Sequence, residues 1–167
     1  MPRQSIKDFT FCALLLWLAP AMATSTTPPE DLSTADWKSI QRQIQAHAYT
    51  AEAQPEGGFR AHNPAHGLDI VHAPDGTTEL RPRRGGDWHW RLTAQRVAGE
   101  ALVRPTRLEQ SGQTVTYHWN NNLREWWINR ETGLEQWFEL RQRPTGLSPK
   151  QPLTVEMAIQ GNLHGVM

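Results

Sequence analysis

From Phe59 onward the chain alternates apolar and polar residues with a period of two, and this constrains its fold more than any other feature. In "DWHWRLTAQ", Trp88, Trp90 and Leu92 alternate with Asp87, His89 and Arg91. In "QTVTYHW", Val115, Tyr117 and Trp119 alternate with Thr114, Thr116 and His118. In "LTVEMAI", Leu153, Val155, Met157 and Ile159 alternate with Thr154, Glu156 and Ala158. "GLDIVHAPDGTTELRPR" holds two short runs around a Pro74-Asp75-Gly76 turn. Successive strand residues point to opposite faces, so each run offers one side to a core and one to water. Such runs, with turns at roughly ten-residue spacing, predict a mainly β, antiparallel β-sandwich-like domain. Patterning does not decide whether the sheet closes into a barrel.

One segment before this region has a helical period. Trp37, Ile40, Ile44 and Ala48 recur on one face, while Gln41, Arg42, Gln43 and Gln45 cover the others. Ser33 followed by Asp36 resembles a capping box with a shortened acid. One amphipathic α-helix is therefore expected over Thr34–Ala48, ended by Pro55-Glu56-Gly57-Gly58.

The N-terminus has a different composition. Arg3 and Lys7 precede an apolar run from Phe9 to Ala19, and Ala21-Met22-Ala23 follows as a small-x-small cleavage site. The run is shorter than the ~20 residues of a membrane helix. This is the pattern of a secretory signal peptide, residues 1–23, followed by a flexible polar leader at 24–32 and the domain at 33–167. The chain is expected to be secreted, to the periplasm or the extracellular space. Its one cysteine, Cys12, would leave with the signal, so packing alone must hold the mature chain, without disulfides. No second apolar run is long enough to span a membrane. Lys plus Arg number 17 and Asp plus Glu 17, with no long basic stripe, which argues against nucleic acid as a partner. The strand at Leu153–Ile159 lies close to the last residue. An apolar edge there is an association hazard, and the domain is expected to be incomplete at its C-terminus.

"EWWINRETGLEQWFEL", residues 125–140, predicts an aromatic hairpin. A three-residue loop, Glu131 to Gly133, with Gly133 left-handed, pairs Arg130 with Leu134. Trp127 then faces Trp137, and Trp126 faces Phe138. Trp126, Ile128, Phe138 and Leu140 fall on one face, assigned to the core. Trp127 and Trp137 fall on the other, as a cross-strand pair that is either covered or offered as a platform. Arg124, Asn129 and Glu139 lie near enough to supply hydrogen bonds to a ligand.

No motif identifies a reaction. Glu125 and Glu135 are a weak acid pair, because nothing in the sequence separates their environments as a glycosidase requires. His62, His66 and His72 read as polar loop residues, since Pro64 interrupts any helical ligand pair; no metal or other cofactor is predicted. Ser33, Ser39, Ser111 and Ser148 sit in no nucleophile elbow. Gly57-Gly58 and Gly85-Gly86 are turn residues without the strand-to-helix context of a phosphate loop.

A helix opening with "DW", the turn "RAHNP", the strand "DWHWRL" and the hairpin "EWWINRETGLEQWFEL" together resemble a known pattern. It is that of the N-terminal region of bacterial secreted proteins with FG-GAP, or integrin-alpha-like, repeats. The resemblance spans Asp36 to Pro144, and Trp137 stands where the pattern usually has glycine. It implies an exported, non-catalytic β-domain leading into a propeller. Its motifs map onto turn and core positions: Asn63, Pro64, Trp88, Trp90, Trp126, Gly133, Leu134 and Phe138. The expected function is a structural or interaction module with a protein or surface-glycan partner. The alternatives are a carbohydrate-binding module using Trp127 and Trp137, and a hydrolase with an unrecognised carboxylate pair.

Overall fold

The computed structural model describes residues 29–144, 147–148 and 150–162. The signal-peptide reading at 1–23, Cys12 and most of the leader lie outside the described residues. Among the described residues no helix is long and apolar enough to cross a membrane.

The helix α1, Thr34–His47, begins where the capping pattern places it. Ser33 accepts a hydrogen bond from the Asp36 backbone N–H at 3.1 Å and donates its hydroxyl to the Asp36 carboxylate at 2.6 Å. Its apolar face is only shallowly used. Trp37 and Ile40 are half-buried, Ile44 is exposed, and no helical residue is fully buried. The contacts tying it to the domain are polar: Gln113 donates to the Ala46 carbonyl and Gln45 to Glu131.

Eleven strands follow: β1 Glu52–Ala53, β2 Phe59–Asn63, β3 Leu68–His72, β4 Thr77–Pro82, β5 Trp90–Val97, β6 Glu100–Ala101, β7 Arg107–Ser111, β8 Thr114–His118, β9 Leu123–Arg130, β10 Gly133–Leu140 and β11 Val155–Gly161. They form two antiparallel sheets. The larger has the order β1-β2-β3-β4-β5-β11, with β6 also on β5; the smaller has the order β10-β9-β8-β7. The mainly β, sandwich-like fold with one preceding helix is as the alternation implies.

The faces follow the period. Leu92, Ala94 and Val97 of β5, with Leu80 of β4, pack against Tyr117, Trp119, Leu123 and Trp127 from the smaller sheet. A second cluster joins Ala51, Ala61 and Ile70 to Val115, and half-buried Leu68, Leu108 and Leu134 touch both clusters. The Pro74-Asp75-Gly76 turn is stitched by the Asp75 carboxylate, which accepts from the Thr77 N–H at 2.9 Å. Gly76 has φ 95°, and a Cβ there would overlap the Trp119 ring, so turn geometry and core packing both require glycine. Val155, Met157 and Ile159 of β11 pair with Val97, Ala94 and Leu92 on the inner face. Ile159 is nevertheless 63% exposed, since β11 ends the strand order.

Candidate functional site

The hairpin differs from the expected one by a single residue. Gly133 pairs with Arg130, so the loop is the two residues Glu131-Thr132, and the register runs unbroken to Leu140 opposite Leu123. The expected extra loop residue is absent: Gly133, with φ 139°, takes the first paired position instead. A one-residue slip turns every side chain of one strand over relative to the other. Trp137 therefore faces Trp126, Trp127 faces Gln136, and Phe138 faces Glu125.

The β9 faces are also the reverse of the expectation. Leu123, Glu125, Trp127 and Asn129 are buried, whereas Arg124, Trp126 and Ile128 are only half-buried and lie on the outer face. On β10 the assignment of Phe138 and Leu140 to the interior holds, because both pack against the core. Two polar residues explain the inversion. Asn129 donates to the carbonyls of Tyr49 and His62 and accepts from Asn63 Nδ2 at 2.8 Å. Asn63 also donates to the Arg130 carbonyl and accepts from the His66 N–H. A buried amide is tolerated when its groups are paired, and this pair pins the hairpin to β2.

Glu125 is the second. It is 1% exposed. Its Oε1 accepts from Trp127 Nε1 and Gln136 Nε2, and its Oε2 from Trp119 Nε1, each at 2.8 Å. Burial raises its pKa, and the three hydrogen bonds only partly offset this. Glu135 lies beside Ile128 on the opposite face of the sheet. These two carboxylates therefore cannot flank one bond across a shared cleft.

The histidines do not share one environment. His62 is on β2, where its Nδ1 meets the Asp69 carboxylate. His66, in the β2–β3 turn, reaches the Glu131 carbonyl. His72, expected in a loop, lies on β3 and is buried beside Tyr117 and Trp127. Its Nδ1 is 3.0 Å from Thr78 Oγ1, and burial lowers its pKa to about 3. Among the described residues no group of three His, Cys, Asp or Glu converges on a metal position.

The outer face of the smaller sheet gathers the exposed chemistry. One row across the strands reads Trp137, Trp126, Thr116 and Glu109, and the next reads Glu139, Arg124, His118 and Arg107. Trp137 is 52% exposed, and its indole donates to Glu135 at 3.3 Å. The Arg124 guanidinium lies 5.9 Å from the Trp126 ring and donates to Glu139 at 2.6 Å. Glu109 takes Arg107 at 2.8 Å and His118 at 2.7 Å. A cleft of about 400 Å³ bordered by Thr106, Arg107, His118, Asn120, Arg124 and Arg141 adjoins the second row. Of the five residues expected to bind a ligand, Arg124, Trp137 and Glu139 meet on this face. Trp127 and Asn129 belong to the interior. Trp126 and His118 belong to the surface and were missed. Compared with known proteins, the chain matches no family model, no curated protein and no solved structure.

Proposed function

We propose that this chain is a non-catalytic interaction module of an exported protein, of the kind that precedes FG-GAP repeats, and that it binds through the outer face of the four-stranded sheet. The observation that carries this is Trp137, half-exposed beside Trp126 in a field of charged and hydrogen-bonding groups. An exposed indole beside a half-buried one is an unfavourable surface in water and a favourable one against a partner. Arg124 is held by both Glu139 and the Trp126 ring, so this face is ordered before any partner arrives. The N-terminal tripartite pattern supports export.

A glycan is the second reading, favoured by the same pair. Indole faces suit the C–H side of a sugar ring, Arg124 and Glu139 form the neighbouring row of the sheet, and Asn120 borders the adjoining cleft with Arg124. Tryptophan emission during titration with a panel of surface glycans tests both readings. A shift that disappears in Trp137→Ala supports the glycan. Glycan affinity unchanged by that substitution overturns the assignment of this face, and release of reducing ends from any glycan overturns the non-catalytic reading. Intact mass of protein recovered from the periplasm or medium should begin at Thr24; a chain retained in the cytoplasm with Met1 would contradict export.

A further inference from the structure

At one end of the larger sheet the β4–β5 connection, "RPRRGGDWHW", forms a cleft with the β2–β3 turn. The cleft measures about 620 Å³ and is lined by Pro64, His66, Leu68, Arg83, Arg84 and Trp88, among others. A neighbouring cleft of about 400 Å³ shares Pro82 and Trp88 with it and carries Arg81 and Arg91. The walls are tied together: the Arg83 backbone N–H donates to the Gly67 carbonyl at 2.8 Å. Trp88 is half-buried, packed against the core cluster on one side and bordering both clefts.

The charges in the two clefts differ. Arg81 and Arg91 are both satisfied by Glu79. Burial would push the Glu79 carboxyl up, but its hydrogen bonds to and the charges of those arginines hold it below its ordinary pKa. On the other faces Arg107 is paired with Glu109, and Arg124 with Glu139. Among the described residues neither Arg83 nor Arg84 has an acidic partner within ion-pair distance, and no carboxylate lines the larger cleft. Arg83 and Arg84 line the same cleft, and an oxyanion bound there would offer both guanidiniums charge-assisted hydrogen bonds. The same lining includes Pro64, Leu68, Pro82 and Trp88, which are apolar and partly aromatic.

We propose that this cleft is a binding site for an acidic sugar unit, with Arg83 and Arg84 holding a sulfate, phosphate or carboxylate group and Trp88 taking the apolar face of the ring. The volume is in the range of small-molecule sites and holds a short saccharide end, not a long polymer track. Two unpaired cations are also too few for the extended basic groove that single-stranded nucleic acid needs. The site lies on the larger sheet and does not depend on the Trp137 face.

Fluorescence titration tests it with a sulfated oligosaccharide, an oligogalacturonate and an uncharged dextran oligosaccharide of equal length. One or both acidic saccharides should bind and the dextran should not; which of the two binds identifies the anion. Arg83→Ala/Arg84→Ala should weaken binding by about tenfold or more, the loss expected for charged hydrogen bonds. Its circular dichroism should stay native, because both side chains are exposed. Arg60→Ala, which removes an equally exposed arginine elsewhere, should bind as wild type does. Equal binding of dextran, unchanged affinity in the double variant, or equally tight binding of an oligothymidylate would each overturn the proposal.

Discussion

Acidification from pH 7 to about 5 should destabilise this domain through His72. It is 2% exposed on β3, between Tyr117 and Trp127, and its Nδ1 faces a hydroxyl, with no carboxylate among its hydrogen-bond partners. Burial lowers its pKa from 6.5 to about 3. Between those values the unfolded chain binds a proton that the folded chain refuses, so acid favours unfolding. The stabilisation from keeping this ring neutral is complete above pH 6.5 and is lost as pH falls towards 3. Lowering the pH from 7 to 5 should therefore remove about 2 kcal/mol. Urea melts at the two pH values, on wild type and on His72→Gln, isolate the effect. The glutamine amide can still accept from Thr78 but does not titrate. The wild-type advantage over the variant should shrink by about 2 kcal/mol from pH 7 to 5. An advantage independent of pH would mean that the ring is hydrated or already charged, and that the sheets do not close over it.

Glu125 should act with the opposite sign. Its folded pKa is raised, so the cost of burying its charge is present above that pKa and is relieved as pH falls towards the ordinary carboxyl value. Relative to Glu125→Gln, wild type should gain stability on acidification in the same melts; a relative loss would refute the buried-carboxylate account. Trp127→Ala should cost about 3–5 kcal/mol and also remove one of the three donors to Glu125, whereas Trp126→Ala should cost clearly less. The reverse order of midpoints would restore the inverted hairpin. Gly76→Ala should cost about 2–4 kcal/mol, combining a left-handed backbone with overlap on Trp119, and a thermal midpoint near that of wild type would show the turn to be slack.

Where side-chain chemistry and period agreed, the fold was legible in the sequence. Ser33 and Asp36 marked the helix start, Asp75 and Gly76 a turn, and Val115 and Tyr117 an inward face. The β9 strand was misread because its inner face carries Glu125 and Asn129. Hydrophobicity ranks Trp126 and Ile128 above that pair, and only tertiary partners make the polar choice cheap: Trp119, Gln136, Asn63 and the His62 carbonyl. Arg124 and Arg130, two and four residues from Trp126 and Trp126's own neighbours by period, were the signal for a solvent face and outweighed by the aromatics. The hairpin register was misread because the glycine was given to an extra loop position. Trp137 and Glu139 stayed on the surface because the faces of β10 were correctly assigned, whereas Arg124 reaches the same surface from β9, on the face that had been given to the core.

Which tryptophans face inward fixes both the core and the proposed binding face. Hydrogen exchange of the indole N–H groups, followed by NMR, reads this directly. Trp119 and Trp127 donate to the buried Glu125 and should be strongly protected, exchanging only when the domain opens. Trp137, half-exposed on the outer face, should exchange rapidly. Rapid exchange at Trp127 together with protection at Trp137 would place the hairpin the other way round and would contradict the proposed binding face.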